Sequence, residues 1–224
     1  MLAEAEQQEL FRNGFDMQYA WEGHHILNNI AKGEASVKEF DTYINKQKEL
    51  LEPTDFTMNF VTNHDENSWS GTLKERMGDA SELLTTLVYA MPGMPLIYSG
   101  QEYDLNHRLK FFEKDSIPKT KGNTWNLLTK LGDLKNNHLA FHGGKIAASY
   151  ERLTTENENV VAFKRSKEVA EVYFIGNLSN QVQSFILDVE GTYEDLLLNK
   201  SLILNQKKIQ LAPWQYYLLN KVSP

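Results

Sequence analysis

Up to Gly144 the chain alternates short apolar runs with longer helical stretches, and past Gly143-Gly144 the helices stop. That change of rhythm limits the fold more than any other feature. Residues 15–19 alternate as a strand does, and residues 22–31 then place Ile26, Leu27 and Ile30 on one helical side. Ser36, with Glu39 three residues on, has capping-box spacing and opens a helix to about Leu51, which Pro53 ends. Residues 57–62 read as the next strand, 79–89 as a helix and 94–98 as a buried strand, with Pro95 acceptable only near its start. A long loop over 100–123 leads to a helix over 124–136. Strand and helix in this order imply βαβ units and a parallel sheet.

Beyond Gly144, residues 160–163, 171–175, 184–187 and 215–219 are short apolar strands separated by turn clusters such as Glu156-Asn157-Glu158-Asn159. Regular spacing without helices predicts an antiparallel sandwich. The chain therefore reads as α/β followed by all-β, with domains 1–143 and 144–224. A net charge of −7 argues against a nucleic-acid footprint, which needs a basic face. The basic pair Lys207-Lys208 reads as a solvated turn. The absence of cysteine excludes disulfides and thiolate metal sites and says nothing of compartment. No apolar run approaches the ~20 residues of a membrane helix. The start has neither a basic segment nor a sustained apolar one, so an export leader, if the native protein has one, lies upstream. Met1-Leu2-Ala3 reads as the end of a buried strand entered partway.

Phe60-Val61-Thr62-Asn63-His64-Asp65 follows a predicted strand and opens a polar loop. It resembles the Phe-x-x-Asn-His-Asp motif that ends barrel strand seven in the α-amylase superfamily. Three further segments stand in that family's order. Leu2-Ala3-Glu4 is similar to the strand-five motif, in which a small residue precedes the catalytic Glu, and Phe15-Asp16-Met17 then resembles strand six. Gly93-Met94-Pro95-Leu96-Ile97-Tyr98-Ser99-Gly100-Gln101-Glu102 is similar to the strand-eight segment. Leu211-Ala212-Pro213-Trp214-Gln215 resembles the last strand of the family's C-terminal sandwich. The resemblance implies the second half of a (β/α)8 TIM barrel, strands five to eight, followed by an antiparallel β-sandwich. In such barrels the chemistry sits on loops after the strand C-termini, where Glu4, Asn63-His64-Asp65 and the 99–102 segment fall.

Retaining glycosidases flank the scissile bond with two carboxyl groups ~5–5.5 Å apart, a nucleophile and an acid/base. The resemblance puts the acid/base on Glu4, whose proton must be held for the leaving oxygen. By position alone Glu4 reads as a solvated carboxylate beside Glu6 and Glu9, and the surrounding motifs reverse that; Glu6 is the same group two residues on, and the preceding Ala3 favours Glu4. Asp65 matches the family's third carboxylate, which grips sugar hydroxyls. His64 and Asn63 match substrate-binding positions. By local chemistry alone, Asn-His-Asp at a strand end also suits an Asx turn. Trp69, Trp21 and Tyr103 are candidate sugar platforms, although aromatics more often pack in cores, and Trp69 is preferred for its place in the polar loop. Arg76 and Glu75 are read as an ion pair or as solvated. His24 and His25 point ~100° apart on a helix and cannot share a metal. His107, His138 and His142 have no carboxylate at ligand spacing. No metal site is expected in this chain, and the resemblance attaches calcium only to the full-length parent.

The family's nucleophile is an Asp in an Arg-x-Asp motif on strand four, and Arg-x-Asp occurs nowhere in this sequence. The expectation is thus an N-truncated piece of an enzyme hydrolysing α-glucosidic bonds of starch or maltooligosaccharides, inactive alone. The alternative is a non-catalytic amylase-like carbohydrate-binding or scaffold protein. Expected partners are an α-glucan, the missing N-terminal half-barrel, and a second copy through self-association at open strand edges. No nucleic acid or membrane span is expected. Only the resemblance points to an extracellular or periplasmic setting.

Overall fold

Four short strands, β1 (Leu2–Ala3), β2 (Met17–Tyr19), β3 (Phe56–Asn59) and β4 (Met94–Pro95), pair in chain order as a parallel sheet in the computed structural model. Residues 1–205 and 208–222 are described, so the turn expected at Lys207 lies outside the described residues. A single turn, α1 (Glu9–Arg12), joins β1 to β2. Helices α2 (Trp21–Lys32) and α3 (Val37–Leu50) lead to β3, α4 (Leu73–Met77) and α5 (Ser81–Ala90) lead to β4, and α6 (Asn123–Asn137) follows. The capping box at α3 forms as read: Ser36 accepts from the Lys38 amide, and Glu39 accepts from the Ser36 amide at 2.8 Å. Gly33 ends α2 at φ 75°, a left-handed cap that glycine adopts without a Cβ penalty.

The strands carry only part of what the sequence suggested. The 94–98 run pairs only over Met94–Pro95 before turning out at Gly100, whose φ is 97°. Gly93 enters β4 at φ 109°, and a Cβ there would stand 2.6 Å from the Thr57 carbonyl oxygen, so this close crossing requires glycine.

The antiparallel part begins with β5 (Ser149–Arg152), β6 (Val160–Lys167) and β7 (Ala170–Asn177), and continues through β8 (Gln183–Phe185), β9 (Glu190–Asp195), β10 (Lys200–Asn205), β11 (Ile209–Leu211) and β12 (Tyr216–Lys221). Six of these form one sheet in the order β10-β9-β12-β7-β6-β5, and β8 and β11 pair separately. The period of two decides the packing. Val161, Phe163, Val172, Phe174 and Leu218 join the helices in one core. Val160, Ala162, Tyr173, Ile175 and Leu219 face the other way, onto Phe185 and Leu211 of the small sheet. Helix α5 is buried along 83–90, as an all-round apolar helix enclosed between two layers must be.

Two buried cations tie the layers together. Arg165 donates to the carbonyls of Ala90, His142, Ala148 and Ser149. Lys135 Nζ donates to Gly93 O at 2.9 Å, and burial, with Arg165 nearby, pulls its amine down to about 7.

Tyr19, Met58 and Phe60 of the parallel part are buried in a small cluster with Trp21 and Leu96. On or beside the outer strands of this sheet, Leu2 is 42% and Ile97 44% exposed.

Candidate active site

The C-terminal ends of β1 and β3 bring together residues far apart in sequence. Glu4, just past β1, places Oε1 3.1 Å from His64 Nε2, and Asp65 Oδ1 lies 3.8 Å from the same nitrogen. The three side chains are 40–50% exposed. Their ligand atoms all lie within 4.8 Å of one another. Tyr19 forms the floor: burial raises its phenol, and the charges of Glu4 and Asp65 raise it further. Two carboxylates and an imidazole open to solvent can accept from, and donate to, the hydroxyls of a polyol.

Glu6 belongs elsewhere. Its Oε2 accepts from the Glu22 amide at 2.7 Å, and burial raises its carboxyl above the usual range. Asn63 is 1% exposed and turned inward, where Oδ1 accepts from the Glu66 amide at 2.8 Å and shapes the turn. Trp69 stands 59% exposed on the wide turn Glu66–Ser70. Trp21 and Tyr103 are packing residues: Trp21 stacks on Tyr19 at 5.6 Å and Tyr103 on Trp125 at 5.4 Å.

Behind the turn lies a buried polar network that sequence reading missed. Glu66 Oε2 lies 3.1 Å from His24 Nε2 and 3.7 Å from Arg76 Nη1. Arg76 also donates to Asn28 Oδ1, Val61 O and Gly71 O. Burial pulls the His24 imidazole down while Glu66 and the Phe60 carbonyl pull it up, and the hydrogen bond from His24 lowers the Glu66 carboxyl. Arg76 and Glu75, read as a mutual ion pair or as solvated, each take another partner. Arg76 turns into the fold to Glu66, and Glu75 pairs with Arg108 at 3.0 Å. The clue was Glu66 itself, an acid directly after the motif. His107, read as lacking a carboxylate, meets Asp115 at 2.9 Å because the loop folds back on itself.

Among the described residues, Glu4, His64 and Asp65 are the set within metal-ligand reach. One imidazole and two half-exposed carboxylates do not make the oxygen cage that calcium takes.

The family model described as the α-amylase catalytic domain matches residues 5–168, taking in 63–65 and Trp69 and beginning just after Glu4. No curated protein matches. Among solved structures, a maltogenic α-amylase from Thermotoga neapolitana superposes with a TM-score of 0.85 at 17% identity, over 100% of this chain and 54% of that one. An α-amylase from Lactobacillus plantarum gives 0.79 at 22% identity, over 97% and 50%. One from Geobacillus thermoleovorans, solved with acarbose, gives 0.76 at 14%, over 99% and 53%. The chain thus spans about half the length of the solved proteins it matches, and at these identities the likeness is one of fold.

Proposed function

The chain belongs to the α-amylase family, and on that premise we propose that it carries the acid/base side of a retaining site for starch or maltooligosaccharides. The observation that supports this most is the meeting of Glu4, His64 and Asp65 at the strand ends. In this reading Glu4 protonates the leaving glycosidic oxygen. Asp65 and His64 hold hydroxyls of the sugar whose ring distorts toward the oxocarbenium-like transition state, where such bonds strengthen. Trp69 offers an apolar face at the rim. Asn63 acts through the turn it shapes. In this reading the barrel part passes to the sandwich at Gly143.

The nucleophile is then supplied by a strand four outside this sequence, since Arg-x-Asp is absent, and the chain alone does not turn over substrate. That same absence favours the second reading, a carbohydrate-binding protein without catalysis. Calcium is assigned to none of this chain's residues. Titration with maltotriose and acarbose, read by calorimetry on wild type, Glu4→Gln and Asp65→Asn, tests the binding shared by both readings. Saturable binding weakened by Asp65→Asn is expected. Binding indifferent to both substitutions would remove the site from this corner.

A further inference from the structure

Phe111 and Phe112 stand on the loop after β4 with 39% and 85% of their surface in solvent, beside Trp69 at 59%. The rings form one patch: Phe111 lies 4.8 Å from Phe112 and 5.2 Å from Trp69, and Trp69 lies 6.2 Å from Phe112. The patch is continuous with the polar cluster, because His64 lies against Phe111 at 5.9 Å with the planes 29° apart.

Leaving apolar area in water costs roughly 25 cal/mol per Å², and a slack loop would turn these rings inward. This loop is held from two sides. Asn67 accepts from the Leu109 amide at 2.8 Å and donates to His107 O, while Ser68 donates to Leu109 O at 2.7 Å. Asp115 accepts from the Lys110 amide at 3.0 Å and pairs with His107. The turn that carries His64 and Asp65 therefore also anchors the loop that displays the phenylalanines. An exposed aromatic patch presented on an anchored scaffold marks a binding surface. Lys110 and Glu113, which flank the two phenylalanines, pair with each other at 2.9 Å, and the flat apolar ring faces suit a neutral ligand.

We propose that Trp69, Phe111 and Phe112 form a ledge for the glucosyl units next to the one held by Glu4, His64 and Asp65. Trp69 and Phe111 take the second unit, and Phe112 takes the third. The ledge sets chain-length preference, with affinity rising from glucose to maltose to maltotriose. This rests on the α-glucan reading above and adds residues to it.

The test measures dissociation constants of the three sugars by calorimetry on the 224-residue chain. Phe112→Ala should weaken maltotriose up to about tenfold, the scale of one aromatic contact, and leave glucose unchanged. Phe112→Trp should keep the maltotriose step. Asp65→Asn should weaken all three sugars. Phe112 is largely in solvent, so its removal leaves the fold intact. If Asp65→Asn acts on all sugars and Phe112→Ala on none, the ledge falls while the α-glucan reading stands. If no sugar binds wild type, both fall. If Phe112→Ala abolishes self-association in sedimentation and leaves sugar affinity alone, the rings cover a second copy and the ledge is overturned.

Discussion

Glu4 Oε1 lies 3.1 Å from His64 Nε2, although the two residues leave different strands with the whole α2–α3 crossover between them. Parallel strands paired in register make this meeting possible, because Leu2 pairs with Met17 and Met17 with Phe56, so β1 and β3 start at one level and run the same way.

The first expectation follows from that contact. Purified 1–224 should not release reducing sugar from starch, while a longer form restoring an Arg-x-Asp strand should. In that form Glu4→Gln should lower kcat ~10²–10⁴-fold, the usual yield of positioned proton transfer, and Glu6→Gln should be mild. A severe Glu6→Gln with a mild Glu4→Gln would reverse the assignment.

Arg76 and Arg108 give a contrast between buried and exposed pairs. Arg76, with 7% side-chain exposure, serves Glu66 and three further acceptors. Arg76→Met leaves Glu66 with His24 alone and takes the donor from Asn28 Oδ1, Val61 O and Gly71 O, and should cost about 3 kcal/mol or more in urea unfolding. Arg108→Met breaks a pair exposed by 48% on each side and should leave the midpoint unchanged. Equal effects would mean that the network behind Asp65 does not hold the turn.

Lys135 predicts a pH dependence with a defined sign. Its amine is pulled down to about 7 in the fold from an ordinary 10.5. Between those values the unfolded chain holds a proton that the folded chain lacks, so stability rises with pH across that window. Below it both states are protonated and the burden is constant. Lys135→Met should flatten the rise and raise the thermal midpoint at pH 7, despite losing the bond to Gly93 O. An unchanged slope in the variant would assign the proton to another group.

The parallel sheet ends in two unpaired edges, β1 and β4, with Leu2 and Ile97 exposed beside them. Unpaired edges invite pairing with another chain. Sedimentation should show self-association that increases with concentration and that Ile97→Lys weakens. A monomer at all concentrations would show that edges two residues long are too short to pair.

The succession of strand and helix and the cap at Ser36 were legible in the sequence because they are local. A period of 2 or 3.6 and a capping box depend on neighbours a few residues away. Strand β9 was missed for the same reason: Glu190-Gly191-Thr192-Tyr193-Glu194-Asp195 reads as a polar stretch, and only tertiary pairing with β10 and β12 buries Tyr193. The motif order likewise pointed to Glu4, His64 and Asp65. Only the folded chain decided that Asn63 turns inward, that Arg76 answers Glu66 instead of Glu75, and that Phe111 rests on His64. Those outcomes depend on which long-range partner lies nearest when desolvated groups must be paired, and no local period carries that information.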